Sequence, residues 1–587
     1  MEEKNIDVIT MTVINNAMAS IIDEMDMTVI RTTTSSAQRD IFDFLCSFAN
    51  AKGEVIVEGE ESVLHANLCN PVINSWIREH GIDSIHPGDM FCINDPYTGA
   101  SHFPDLTIIH PIFLDGQLVA WTGIGGHITD VGGRVGGSCD CLSRTCFEEG
   151  LRIPMVKVCD RGIRNDTFFT ILAANSRLQE ECVEQLEPFL AGCRIAERRF
   201  LELVRKYDWE TVNMYLDALL DYAEHRARDE IRKLPNGVYE FEDYLDDDGF
   251  GSDPIRFCVK ITVDEDTITY DWTGSAPQME AGMNNPGATT RALCYIAFRS
   301  LLPRDIPHNG GPLRAVKVIV PEGTVVNPVL PGPTGARGVT IARIHEVLLG
   351  AQAQICPDKM PACAEGINAL LKFSLFDKRQ RKGVIFSDLL WGGWGGRPTN
   401  DGDQLSPLYL NANPRAVEIQ EDLYPLRYNQ RAFVPDSEGA GKYRGGFAVV
   451  NDYQILADET TLQLRCDRCK LANYGLHGGQ PGSLGKYTLN PDGENRDLLK
   501  CVIPMRKGDV LRTRLGGAGG WGSPLERDVE LVMNDVRNEL VSVRRARDVY
   551  GVVINEATMQ VDMEQTQSLR QSMKKGNTKT NDMVAGA

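Results

Sequence analysis

Between Gly88 and Gly126 the chain runs through three β-rich segments, DMFCIND, DLTIIHPIFL and QLVAWTGIG, separated by turn-forming residues. Runs rich in Val, Ile, Phe and Thr and punctuated by Gly, Pro, Asn and Asp constrain this stretch to strands. Two His-x-x-Asp units then fall at strand ends or in the loops that leave them. One is His102 to Asp105 within NDPYTGASHFPD; the other is His127 to Asp130 within GGHITD. Loops held on a rigid sheet are where catalytic groups are commonly placed.

The rest of the chain alternates in period. Apolar residues at helical spacing from Ile6 to about Arg31 predict an opening amphipathic helix, and FDFLCSFANAKGEVIVEGE reads as two strands joined through Asn50 to Gly53. A helical stretch follows from about Asp166 to His225, and a β-rich region then runs from LPNGVYEFEDYLDDDG to VKVIVPEGTVVNP. Helical periodicity returns in RGVTIARIHEVLLGAQAQICPDKMPACAEGINALLKF, and glycine-rich loops with short strands and a last helix, DVELVMNDVRNELV, complete the pattern. The expected fold is mixed α/β (α+β), with several β-rich layers and interspersed helices. Its expected divisions are 1–230, 231–335 (β-rich), 336–390 (helical), 391–563 (glycine-rich β with a final helix) and 564–587, a polar tail expected to be poorly ordered.

Composition removes several classes. A chain of 587 residues with 42% hydrophobic and 24% charged residues has the make-up of a globular protein able to build several cores. A net charge of −20 argues against nucleic acid as a partner, because a polyanion is steered by a basic field. No run of eighteen apolar residues predicts a membrane span, and the acidic start MEEKNID does not read as a secretory signal. The 16 cysteines follow no repeated spacing, which fits reduced thiols and a cytoplasmic setting. Cys139, Cys141 and Cys146 form one cluster and Cys466 with Cys469 another. Neither supplies the second close pair that a structural zinc site uses. The glycine-rich segments contain no G-x-x-x-x-G-K-[ST] string and read as tight turns between strands.

Imidazole with carboxylate suits zinc, manganese or iron better than calcium. His102 and Asp105 offer one ligand of each kind from a single loop, and His127, preceded by Gly125 and Gly126, approaches from the next strand end. A fourth ligand must come from elsewhere in the chain.

Seven blocks in order then carry a resemblance along nearly the whole chain: NDPYTGASHFPDLTIIHPIF, GHITDVGGRVGGS with EEGLRIP, DWTGSAPQ, VPEGTVVNP, YPLRYNQRAFVPDSEGAGKYRGG, GLHGGQPG and GGAGGWGSPLERD. They resemble the hydantoinase B/oxoprolinase family, which includes large subunits of N-methylhydantoinase, caprolactamase and the acetone and acetophenone carboxylases. The resemblance implies a divalent metal held by His102, Asp105 and His127. It also implies an acidic ligand from the AQRDIFDF segment, where the family pattern points to Asp40, with Asp43 as the alternative if the register slips. Asp130 is then expected to orient His127 or to serve as a base, with turn-capping as its alternative role. The cysteine pair in LRCDRCK matches a family segment lacking paired cysteines. Where relatives often show an N-V-E/T-S string, this chain has GPTGARGVTIARIHE, which places Arg337 and Arg343 in that region and suggests an anionic substrate or a diverged subunit.

The activity that the resemblance implies is ATP-dependent opening of a lactam, hydantoin or oxoproline ring. ATP is used by a hydantoinase A-type partner in a hetero-oligomer, which fits the absence of a phosphate loop here. A ketone carboxylase subunit of the acetone or acetophenone type is the alternative, disfavoured by length because the acetone-type subunits tend to be longer. A non-catalytic scaffold is the third reading, and the retained His102, Asp105 and His127 count against it.

Overall fold

An Asp115-Gly116 turn organises the first sheet. Both residues sit at positive φ (51° and 83°), the conformation a two-residue hairpin needs to match strand twist. It joins β4 (Asp105–Leu114) to β5 (Gln117–His127) in a seven-stranded antiparallel sheet. The sheet is ordered β2-β1-β5-β4-β3-β6-β7, with β1 Phe44–Asn50, β2 Val55–Glu58, β3 Met90–Ile93, β6 Val156–Asp160 and β7 Ile163–Arg164. A bulge between Ile112 and Phe113 inserts one residue on the β5 side, and from there the register runs without a slip to Asp105 opposite His127. Without that extra residue Asp105 would face Gly126.

This computed structural model describes residues 6–60, 69–367, 369–406 and 414–584. Its opening helix, Val8–Thr32, is capped by Asp7, whose carboxylate accepts from the Thr10 amide at 2.9 Å. The apolar stripe of Ile14, Met18, Ile21, Met25 and Val29 packs with the Glu187–Tyr207 helix over the sheet. Gly192 makes that approach close: a Cβ there would lie 2.6 Å from Ile124 Cδ1.

A second sheet has the order β11-β10-β9-β8, from β8 (Gly237–Leu245), β9 (Ile255–Asp264), β10 (Thr267–Asp271) and β11 (Val316–Ile319), with β10 and β11 parallel. Against it lies the Gly338–Ile355 helix, buried along nearly its whole length; its apolar residues join the core of this sheet, while its buried polar residues, such as Arg343 and Gln352, find partners inside the protein. Two further sheets share one core. The first is β13-β12-β16-β19, from β12 (Ala369–Asp377), β13 (Lys382–Leu390), β16 (Glu459–Arg465) and β19 (Cys501–Arg506). The second is β14-β15-β20-β17-β18, from β14 (Leu426–Phe433), β15 (Val449–Ile455), β17 (Lys486–Leu489), β18 (Arg496–Leu498) and β20 (Val510–Arg514). Helices and mainly antiparallel sheets make the protein α+β, as expected. No helix of the described residues is long and apolar enough to cross a membrane.

Three expectations are corrected. Of the stretch 336–390 read as helical, only Gly338–Ile355 is α-helix, while 369–390 forms the β12–β13 hairpin. Leu370, Leu371, Phe373 and Leu375 are all buried because β12 pairs on both edges and packs in a core, so the run loses the alternation that marks a strand. Within the region read as β-rich, Gly287–Arg299 is a helix. The segment from 564 is helical over Met563–Val584. Its start is docked by buried Thr566 and by Arg570, which donates to the carbonyls of Tyr550 and Arg527.

The glycine-rich loops do more than turn. Gly517 and Gly519 pack backbone against backbone, and a Cβ on Gly517 would fall 1.8 Å from the Ser437 carbonyl oxygen. Gly517→Ala is therefore expected to cost about 3 kcal/mol through forced backbone displacement. Chemical denaturation checks this, and an unchanged midpoint would show that the layer yields to a methyl group.

Candidate metal centre

The register of β4 and β5 brings the first and last residues of the hairpin together, so Asp105 and His127 meet at one end of the sheet. His102 joins them through a tight turn, with the Asp105 amide donating to the His102 carbonyl at 2.8 Å. That turn is anchored by buried Asn94, whose amide donates to the carbonyls of Phe103 and Leu151 and whose oxygen accepts from the Ile153 amide. Beyond the strand ends, the Ile128 amide donates to Pro104 and the His127 amide to the Asp43 carbonyl.

The Asp105 carboxylate is the hub. Its Oδ1 lies 3.0 Å from His127 Nδ1, and its Oδ2 lies 2.7 Å from His102 Nδ1 and 2.5 Å from Arg337 Nη2. The two imidazoles are nearly parallel, at 25° with centroids 5.5 Å apart. Among the described residues, His102, Asp105 and His127 form the group whose ligand atoms all lie within 4.8 Å of one another. Ligands about 2 Å from a common ion need to close that span only slightly.

Two observations bear on whether these residues fit a metal. His102 Nδ1 is buried and, despite its closeness to Asp105, out of line for a hydrogen bond, so it is left with an unused electron pair or proton. Burial is also the main force pushing the His102 pKa down to about 3. Asp105 opposes that shift, and the charges of Arg337 and His127 add to it. The ring is neutral at physiological pH, the form in which an imidazole can ligate. A buried neutral imidazole, a carboxylate and a second imidazole make a donor set suited to a divalent transition metal.

The group opens into a cavity of about 480 Å³. Leu370, Val384, Ile385 and Ile341 supply apolar wall, and Arg337, Lys372, Arg415 and Arg465 bring positive charge. These cations come from residues far along the chain, and of them only Arg337 stood out from the sequence. Lys372 did leave a signal, since it is a lone charge within the buried run ALLKFSLF.

The remaining sequence candidates separate. Asp40 does not join the group. It ends the short helix Ser36–Asp40, takes Arg39 as a partner at 2.8 Å and does not line the cavity. The chain then turns at Phe42 (φ 59°), and Asp43 lines the cavity. Asp130 points away from His127. Its fully buried carboxylate accepts from the amides of Gly137 (2.7 Å) and Arg177 (2.7 Å) and from Arg177 Nη1 (3.1 Å), so it braces the loop that follows. Gly126 serves packing, as a Cβ there would lie 2.7 Å from both Phe189 and Phe44. Arg343 is buried between Asp243 and Asp467 rather than in the cavity. Of the first cysteine cluster Cys139 alone lines the cavity, 4.0 Å from His102 Nε2, while Cys141 and Cys146 enter separate cores.

Comparison with known proteins agrees with this architecture. The family model for Hydantoinase B/oxoprolinase matches residues 7–524, and the chain belongs to that family. It is 31% identical to a protein named as the B-type subunit of a D-/L-hydantoinase of Pseudomonas sp. (strain NS671), over 97% of this chain and 98% of that one. It is 27% identical to the caprolactamase beta subunit of Pseudomonas jessenii, over 94% of this chain and 97% of that one. The crystal structure of the ATP-dependent caprolactamase from that organism superposes with a TM-score of 0.90 at 25% identity, covering 97% of this chain and 100% of the other. A nucleotide-free acetone carboxylase structure gives a TM-score of 0.89 at 18% identity, covering 98% and 85%, a likeness of fold.

A bracing role for Asp130 has a measurable consequence. Asp130→Ala leaves several buried donors without an acceptor and is expected to lower unfolding free energy by about 3 kcal/mol. Denaturant titration tests this, and wild-type stability in the variant would argue against the brace.

Proposed function

We propose that the chain is the metal-dependent catalytic subunit of an ATP-dependent amidohydrolase. In this reading it opens a lactam, hydantoin or oxoproline ring after phosphorylation by a hydantoinase A-type partner in a cytoplasmic hetero-oligomer. The observation that carries the reading is the convergence of His102, Asp105 and His127 on a cavity of a size suited to a small ring. The similar proteins support it, being named as a hydantoinase B-type subunit and a caprolactamase beta subunit, with an ATP-dependent caprolactamase as the structural match. The likeness to acetone carboxylase is one of fold, so it does not raise the carboxylase reading to the same standing. The intact ligand group weighs against a scaffold.

Zinc, manganese or iron held by His102, Asp105 and His127 would supply Lewis acidity toward a carbonyl oxygen and toward water. The protein's own residues prepare that site. Asp105 orients the His127 ring through a hydrogen bond at Nδ1 and sets its charge beside His102, and Arg337 holds the rotamer of Asp105 through Oδ2. Burial keeps His102 neutral. Apolar Leu370, Val384 and Ile385 exclude water from one part of the cavity and offer a surface to ring methylenes. Asp43, which lines the cavity, is our choice for a further acidic ligand in place of Asp40.

The test is reconstitution. Turnover of a lactam or hydantoin is expected only when the chain, an actin-like hydantoinase A-type ATPase and ATP are combined. Hydrolysis of ATP by this chain alone at an ordinary enzymatic rate would overturn the division of labour. His127→Ala and Asp43→Asn are expected to reduce metal content by elemental analysis and to reduce turnover at least a hundredfold, with little change in thermal midpoint. Asp40→Asn is expected to keep both metal and turnover; loss of metal in that variant would restore Asp40 as the ligand.

A further inference from the structure

We infer that the cavity contains a built seat for an oxyanion, formed by Lys372 and Arg337 beside the His102–Asp105–His127 group. The seat takes a carboxylate or phosphate carried by the molecule on which the enzyme acts. This deepens the reading above and rests on it only for the identity of the reaction.

Lys372 is the starting point. It stands on β12 within an apolar run, is 2% exposed and lines the cavity. Its ammonium donates to the Gly137 carbonyl at 2.7 Å and lies 3.3 Å from Cys139 Sγ. Among the described residues no carboxylate pairs with it. An ammonium has three donors, and a buried cation whose hydrogen-bond partners among the described residues are a carbonyl and a thiol is poorly compensated. Placement is deliberate at the level of the backbone: Gly137 has φ +81°, and a Cβ there would lie 2.7 Å from the ammonium. Asp130 holds the same loop through the Gly137 amide, which gives that carboxylate a positioning role toward Lys372.

Arg337 supplies the second observation. Its side chain is 6% exposed and lines the cavity, Nη2 is committed to Asp105, and Nε is buried with no hydrogen-bond partner among the described residues. It caps the Gly338–Ile355 helix, and Gly338 and Ile341 of the first turn line the same cavity. A helix N-terminus adds positive potential in the same direction. Arg465 approaches through the gap left at Gly338, where a Cβ would meet its Nη2 at 2.6 Å.

The acids of the cavity wall do not cancel this charge. Glu181 is partly exposed and pairs with Lys382 at 2.7 Å, and Glu184 is exposed. Asp105 is shared among two imidazoles and Arg337, and half-buried Asp43, on the same wall, has an interaction of its own, so two acids face the buried Arg337, Lys372, Arg415 and Arg465. The deep cations therefore exceed the deep acids, and an uncharged lactam would leave Lys372 as it is now. An oxyanion matches the donors. Two sources share that chemistry: a carboxylate on the ring substrate, or a phosphoryl group transferred to it.

Calorimetric titration of the full chain, after chelation and again with manganese(II) restored, separates them. The probes are inorganic phosphate, oxoproline, and pyrrolidinone, the same five-membered lactam without a carboxylate. At least one oxyanion is expected to bind the wild type with an affinity that falls as salt rises. Lys372→Gln, which still donates to Gly137, is expected to weaken that binding at least tenfold while leaving pyrrolidinone unaffected. Loss confined to phosphate assigns the seat to the transferred group, and loss confined to oxoproline assigns it to the substrate carboxylate. Should Lys372→Gln not fold, Arg337→Gln is expected to give the same tenfold loss. Binding of neither oxyanion by the wild type, or unchanged binding in a folded variant, would overturn the seat. Failure of the hydrolase reading would appear as absent turnover with partner and ATP, and it would leave these isotherms unchanged.

Discussion

The pairing of Asp105 with His127 across β4 and β5 is the constraint on which the candidate site depends. It is set about ten residues away, by the Asp115-Gly116 turn and the bulge near Phe113. In a strand pair a slip of one residue sends every side chain to the opposite face. Such a slip would place glycine opposite Asp105 and remove one imidazole from the group. The chemistry therefore rests on backbone pairing before it rests on any side-chain contact.

Asp105 also joins distant parts of the chain, since Arg337 reaches it from 232 residues away. What keeps Arg337 in place is the helix that begins at Gly338, and that helix is clamped further along by Arg343. Arg343 pairs with Asp243 of β8 at 2.6 Å and with Asp467, just after β16, at 2.8 Å, and both Arg343 and Asp467 are fully buried. Lys500 extends the network to Asp247 and again to Asp467. Buried ion pairs contribute little net stability against an apolar alternative, but removing one partner is severe. Here they tie the second sheet to the third and so orient the helix that carries Arg337.

Much of the local structure was legible in the residues. The opening helix announces itself by period, the first hairpin by its Asn50 to Gly53 turn, and the β3 to β5 strands by β-branched runs between turn residues. His102, Asp105 and His127 were readable because they lie close in sequence and at strand ends. The β12 strand was not, because burial on both faces erased its alternation and left an apolar run that a helix also shows. The short helix Ser36–Asp40 hid a local choice: whether Asp40 or Asp43 faces the cavity depends on the reversal at Phe42, which no spacing rule supplies.

By itself the sequence determined the type of elements, the α+β class, the family and the three ligand candidates, because each of these rests on local periodicity, turn chemistry or ordered motifs. Only the tertiary structure decided that Asp130 braces a loop, that Arg343 belongs to an internal ion network and that Lys372 lines the cavity with no carboxylate partner among the described residues. The physical reason is common to all three. The role of a charged side chain is set by which donors and acceptors surround it after folding, and for these residues most of those partners lie dozens to hundreds of positions away.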